Sequence, residues 1–416
     1  MASSSVFVFG FVVALLSLSL RTSSAADFIC LFQRLTPWAD GPEFITQCPI
    51  RPGGEWWNAN PIDVENAALA SGGAPADADA YTFNGWPGDL FNSCVSNSTL
   101  NVVPGKTYLL RIINAALNTQ FFFKIANHSM TVVGADAAYT NPFQTDVLVL
   151  GPGQTHDVLM TANQSPGLYY MTASPYATAV GVPFNQNTTT GIIAYGNARQ
   201  ATRPILPVIP AFNDTTTAFS FSSNLTSLVT SPFWSPVPQT VDENMFMTLG
   251  LGLTPCNSNQ NCSGFFGQRL SSSMNNRSFV LPSQVSLLEA VFRNISGVYT
   301  KDFPDTPPLI FNYTDVNNSF NQNILFAPKS TSFGNYNPTT DTQKFNLVNP
   351  QERNTFGVPV GGWAVIRFRA NNPGVWYVHC HLDVHLPWGL AMAFLVENGG
   401  TPEPTLPPPP ADFPKC

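Results

Sequence analysis

Charge is scarce in this chain: of 416 residues, 18 are Lys or Arg and 25 are Asp or Glu, for a net charge of −7. That balance excludes a nucleic-acid surface built on a basic patch and gives no steering toward anionic partners. Histidine is rarer still, with five in all. A membrane span is not expected, because the apolar run Val6–Leu20 is shorter than the roughly 20 residues a bilayer requires. No long helical period appears, which argues against a helical bundle. Disorder is excluded by what is present: hydrophobic residues make up 44% and aromatic residues 12%, ample for buried cores.

Short alternating runs bounded by Gly, Pro and Asn recur throughout, the pattern of antiparallel β-sandwiches. The chain is therefore expected to be all-β. Strands are expected at Thr107–Ile113, Phe121–Ile125 and Asp146–Leu150. Another is expected where Ala364, Ile366, Phe368 and Ala370 alternate with Trp363, Val365, Arg367 and Arg369. Asn371-Asn372-Pro373-Gly374 then turns the chain into a returning strand, Val375–His381, as a hairpin. A proline-rich stretch, Arg203 to Pro210, reads as a linker.

Residues Val6–Leu20 followed by Arg21 and small residues near Ala25 and Ala26 read as a secretory leader, residues 1–26. Eleven N-x-S/T sequons agree with a secreted glycoprotein: Asn97, Asn127, Asn163, Asn187, Asn213, Asn224, Asn261, Asn276, Asn294, Asn312 and Asn317. Asn127 falls in an expected strand, which disfavours its modification. Of the seven cysteines, Cys256 and Cys262 are close enough for a local loop bridge in an oxidising compartment.

Three of the five histidines fall within seven residues, in His379-Cys380-His381-Leu382-Asp383-Val384-His385, with Leu390 five positions on. A thiolate with imidazoles and a weak axial neighbour is the ligand set of a blue-copper site. Cys380 and His385 fit that set, with Leu390 in the axial, non-ligating place. Side chains alternate across a strand, so His379 and His381 point away from Cys380 and are free to serve a second metal. An electron arriving at Cys380 then has a short covalent route to either histidine. His128, in FKIANHSM, and His156, in GPGQTHDV, are expected to be packing residues.

The stretch Gly361 to Gly400 resembles the C-terminal copper motif of plant laccases, which are multicopper oxidases. Pro37 to Ile50, Gly54 to Trp57 (GEWW), Pro104 to Asn118 and the tail LPPPPADFPKC resemble further laccase segments in the expected order. The resemblance implies cupredoxin-like Greek-key β-sandwich domains in multicopper oxidase architecture, with a truncated first domain. Residues 27–53 would be its remnant, 54–198 a second domain, 199–210 the linker and 211–416 a third domain carrying the motif. It also implies a secreted, cell-wall enzyme that takes single electrons from phenols and monolignols and reduces dioxygen to water, with four coppers per chain. In that scheme Cys380 and His385 hold the blue copper, and His379 and His381 serve the cluster. Disulfides follow by resemblance too: Cys48 pairs with Cys416. Cys94, whose usual partner sits on a missing strand, is left with Cys30, a connectivity that spacing does not fix.

Of the family's four histidine motifs only HCHxxxH is present. The others would fall within Asp27–Leu35, between Cys48 and Gly54, and between Phe326 and Phe333, where the chain is short. The losses are contiguous blocks with well-formed flanks. They fit either an incomplete gene model or splice form, or a catalytically inactive laccase-like glycoprotein.

Overall fold

The computed structural model describes residues 45–46, 52–91, 97–178, 184–196, 203–308, 335–358, 362–401, 405–410 and 412. Cys30, Cys48, Cys94 and Cys416, the leader, Asn312 and Asn317 lie outside them. Sixteen strands and three helices are described: β1 Ile45–Thr46, β2 Pro52–Trp56, α1 Pro61–Ser71, β3 Ala80–Phe83, β4 Ser98–Val102, β5 Thr107–Ile113 and β6 Gln120–Ile125. There follow β7 Met130–Ala135, β8 Ala138–Thr145, β9 Val147–Leu150, β10 Thr155–Thr161, β11 Leu168–Tyr176, β12 Thr189–Tyr195 and α2 Thr215–Asn224. The last are β13 Leu249–Thr254, β14 Arg269–Met274, α3 Leu287–Arg293, β15 Gly374–His379 and β16 Ala391–Val396.

Ten strands form two five-stranded sheets, ordered β1-β5-β10-β7-β8 and β4-β12-β11-β6-β9. In β5 the period of two is complete, with Tyr108, Leu110 and Ile112 buried and the residues between them partly exposed. β6 buries Phe121, Phe122, Phe123 and Ile125. Such a run belongs to a strand covered on both faces, and the β2–β3 ribbon runs against the neighbouring β11 and β12. One apolar core joins both sheets, and α2 closes one end of it through Ala218 and Phe221. The three strands expected here appear within one residue of the expected bounds.

The linker adds a bridge to this unit. Ile205 N donates to Leu168 O at 3.0 Å and Tyr170 N to Ile205 O at 2.9 Å, seating Ile205 as a one-residue edge beside β11. The helix α1 has no apolar periodicity, yet its ends are well specified. Asn60 caps it by accepting from Ile62 N at 3.0 Å, Pro61 occupies the first turn, and Gly72 ends it at φ 70°.

The expected hairpin is corrected. Residues 362–370 are irregular apart from a single bridge residue at Phe368, which is buried against Phe394 at 5.2 Å between ring centroids. β15 pairs instead with β16, His379 opposite Ala391. Alternation creates a strand only where another backbone lies alongside, and β16 takes that place. Asn127 is also corrected: it sits in an exposed turn with φ 58°, not in a strand. The Cys256–Cys262 bridge is present, with Cα atoms 6.0 Å apart.

Candidate functional site

The segment joining β15 to β16, Cys380 to Leu390, is a compact loop closed by its own backbone. Cys380 N donates to Leu390 O at 3.0 Å, His385 N to Leu382 O at 3.0 Å, and Leu390 N to His385 O at 3.1 Å. Gly389 makes the last bend at φ 108°. A Cβ there would meet Ser272 O at 2.9 Å, so both the dihedral and the fit against β14 require glycine.

This closure brings Cys380 Sγ to 3.2 Å from His385 Nδ1. Leu390 is buried beside them in a small cluster with Met274 and Met392, against which Cys380 packs. Burial pushes the Cys380 thiol up to about 11 and the His385 imidazole down to about 4, so the metal-free pair is neutral at pH 7. A metal bound between them would replace the proton that the two atoms share.

His379 and His381 stack on each other, ring centroids 5.7 Å apart. His379 Nδ1 donates to Cys380 O at 2.9 Å, which leaves its Nε2 as the free acceptor. Burial lowers the His379 pKa. His381 rests on the turn before β10: a Cβ on Gly153, whose φ is 73°, would lie 2.6 Å from its ring. The two imidazoles thus lie together at the end of β15, which stops at His379.

The loop is also docked on the sandwich. Asp383 N donates to Leu117 O at 3.1 Å and Val384 N to Asn118 Oδ1 at 2.8 Å. Beneath them the Glu55 carboxylate accepts from Leu117 N at 3.0 Å, Asn118 N at 3.2 Å and the Thr119 hydroxyl at 2.6 Å. Burial outweighs these bonds and holds the Glu55 carboxyl above its usual range. Glu55, Asn118 and Gly153 escape a sequence reading, although an acid set in the aromatic GEWW run is a signal in hindsight.

The other two histidines are packing residues. His128 is buried; its Nδ1 donates to Ala126 O at 2.6 Å and its Nε2 accepts from Tyr195 OH at 2.5 Å. His156 is fully buried, with Nε2 donating to Val149 O at 3.3 Å.

Against a copper ion the donors divide. Cys380 and His385 are close enough to share one ion, and Leu390 suits a weak axial place. They fit two donors of a blue-copper set, and the second imidazole is not among the described residues. His379 and His381 do not by themselves fit a three-copper cluster. Among the described residues no group of three or more His, Cys, Asp or Glu side chains converges.

Three multicopper oxidase family models match the chain, over residues 52–198, 325–400 and 19–69. The laccase from Botrytis aclada superposes with a TM-score of 0.59 at 21% identity, over 85% of this chain and 64% of that one. Fet3p, described as a multicopper oxidase that functions in iron import, gives 0.57 at 19% identity, over 85% and 66%. The chain thus spans just under two thirds of either structure, and both share its cupredoxin-like fold. The chain belongs to the multicopper oxidase family, an oxidoreductase family that uses copper.

Within that family it falls among the plant laccases. Laccase-7 of Arabidopsis thaliana is 46% identical over 93% of this chain and 85% of its own length. Laccase-12 of Arabidopsis thaliana is 46% identical over 92% and 84%, and Laccase-25 of Oryza sativa subsp. japonica 43% over 93% and 85%. The alignment with Laccase-7 has 488 positions; 93% of 416 residues is about 387, so about 100 positions face no residue of this chain. No described helix is long and apolar enough to cross a membrane.

Proposed function

We propose that this chain acts as a laccase-type phenol oxidase in which Cys380 and His385 hold the electron-accepting copper. The observation that carries this reading is the 3.2 Å approach of Cys380 Sγ to His385 Nδ1 beside buried Leu390. Copper bound there supplies a one-electron acceptor. The chain supplies the rest: Leu390, which has no ligating atom, lies buried with Met274 and Met392 against the thiol, where a copper held by Cys380 and His385 would gain no further side-chain donor from it, and Glu55 with Asn118 holds the loop in register. Phenols and monolignols in the cell wall are the substrates this reading assigns, with dioxygen as terminal oxidant. His379 and His381 are the residues the four-copper scheme would use for it.

The same reading makes residues 1–26 a secretory leader, 27–53 a first-domain remnant, 54–198 and 211–416 the second and third domains, and 199–210 their linker. It also places N-glycans on the sequons. Asn127, exposed in its turn, joins the accessible ones.

The lack of a third converging donor among the described residues favours a second reading, a secreted laccase-like glycoprotein without oxidase activity. Copper per purified chain separates the two, with phenol oxidation as the second readout. A value near four, falling in Cys380→Ser together with oxidation, supports the oxidase. At most one copper and no oxidation supports the other. Transcripts that encode histidine motifs between Pro49 and Gly54 and between Ala327 and Phe333 would identify this chain as an incomplete form.

A further inference from the structure

Away from the copper loop, a groove of about 620 Å³ runs between one face of α2 and the strands β8 and β9. Its lining is mixed rather than apolar. Phe143, half-buried beside Phe221 at 5.8 Å between ring centroids, offers a flat apolar floor. Around it stand hydroxyl and amide groups with bonding capacity to spare. The Thr216 and Ser220 hydroxyls make no hydrogen bond among the described residues. Gln144 Nε2 donates to the Ser129 hydroxyl at 2.8 Å, which leaves its Oε1 to the groove. The one charged residue of this lining, Asp146, is paired with Lys124, Nζ to Oδ2 at 2.7 Å.

Such a lining selects a neutral ligand rich in hydroxyl groups with an apolar ring face, which is the chemistry of a sugar. A cavity of about 150 Å³ takes one benzene ring; about 620 Å³ is about four times that and holds two substituted sugar rings. The source of the sugar is in the wall itself. Asn224, the last residue of α2, lines the groove and opens the sequon Asn224-Leu225-Thr226. Leu225 is buried in the core and fixes the chain just beyond it. Asn224 Nδ2 donates to Ser220 O at 2.9 Å; attachment of a sugar replaces one of its two hydrogens, and the other keeps this bond. A sugar joined here begins inside the groove, and the tether favours it over any free glycan. The sequon residues Asn127 and Asn213 are exposed nearby in the sequence and are not part of this lining.

We propose that the first two sugars of an N-glycan on Asn224 lie in this groove, against Phe143 and the Thr216 and Ser220 hydroxyls, and hold α2 against β8 and β9. The proposal rests on the secreted-glycoprotein reading above. In the attachment, the bond from C1 of an N-acetylglucosamine to its lipid-diphosphate donor breaks and the bond from C1 to Asn224 Nδ2 forms. The displaced amide proton leaves with the diphosphate. Because α2 closes one end of the sandwich core through Ala218 and Phe221, the glycan braces that core from outside.

The test is release of glycans by peptide N-glycosidase from the native full chain, secreted from a glycosylating host and followed by mass spectrometry at each sequon. Release requires the innermost sugar to leave the groove. Asn224 is therefore expected to lose its glycan at least about tenfold more slowly than the glycosylated exposed sequons, and at their rate once the chain is denatured. Ser220 is exposed, so Ser220→Trp is tolerated by the fold, fills the groove and brings release at Asn224 to the common rate. In Asn224→Gln, which carries no glycan there, amide exchange rises about tenfold in α2 and stays unchanged in β5. A bare Asn224 in a chain glycosylated elsewhere, native release from Asn224 as fast as from the other sequons, or unchanged exchange in Asn224→Gln overturns the proposal and leaves the glycoprotein reading standing. Absence of glycan from every sequon overturns both.

Discussion

Strands β4 to β12, with β1 at one edge, close two five-stranded sheets around one continuous core. From β13 to β16 the described strands form two separate two-stranded ribbons, and the buried cluster between them is Met274, Leu390 and Met392. An isolated two-stranded ribbon is marginal in water, so the second region depends on what it leans against. The candidate copper loop belongs to that dependent region. It is held by Leu117 and Asn118 of the sandwich, by Gly153 under His381, and by β14 across Gly389. The sandwich supplies rigidity, and the ribbons supply donors positioned by contact.

The largest expected effect tests the difference in self-sufficiency. Phe123, fully buried in the sandwich, should lose about 3–5 kcal/mol on Phe123→Ala, whereas Met392→Ala in the ribbon cluster should lose about 2 kcal/mol. Urea midpoints measure both. Equal losses would mean that the ribbons share the sandwich's cooperativity.

Next comes the link between the regions. Arg353 Nε lies 2.8 Å from Asp136 Oδ2, with the Asp136 side chain fully buried. Arg353→Ala leaves that carboxylate unpaired and should cost about 3 kcal/mol. A two-step unfolding curve in the variant would show that this pair couples the regions, and a small loss would show that other contacts suffice.

A third comparison is by pH. Burial first, and the nearby Arg353 cation second, lower the His156 pKa from 6.5 to about 3. The folded state therefore binds fewer protons than the unfolded chain between those values. The His156 contribution to stability is complete above pH 6.5 and falls on acidification by about 1.4 kcal/mol per pH unit in that window. Phe221, Val149 O and Arg353 face the ring. His156→Phe should lose this slope, so that its stability difference from the parent changes with pH between about pH 6.5 and pH 5; equal slopes in parent and variant would sink the assignment.

The smallest effect concerns α1, which supports the ribbons. Its C-terminal carbonyls of Leu69 and Ala70 accept from Gln260 Nε2 at 2.8 and 2.9 Å, and Gly72 O accepts from Leu270 N at 2.9 Å. Asn60→Ala removes the N-cap and should cost about 1 kcal/mol. Amide exchange should rise in β14 before it rises in β5; the reverse order would place α1 with the sandwich alone.

Strands with strict alternation were legible because their burial is local: in β5 every second residue meets the core. Residues 363–370 show a similar alternation without forming a strand, and β16 was missed as the partner of β15 because pairing is a contact between distant residues. The helix α1 has clear capping signals and no sided pattern, so a reading that relies on periodicity passes it over. Asn127 looked like strand interior, and the turn that exposes it depends on a positive φ.

The family and the identity of the candidate donors were determined by the amino-acid sequence itself. A thiol between two histidines, with a third histidine five residues beyond the thiol, is a covalent pattern that needs no partner to be recognised. Tertiary structure alone decided which of those donors meet. The loop must close through Gly389 before Cys380 and His385 converge, and Glu55 must hold residues 117–119 in place for Asp383 and Val384 to dock. The docking contacts join residues more than 60 positions apart, as between Glu55 and Leu117 and between Val384 and Asn118, and such proximity is a property of the packed chain.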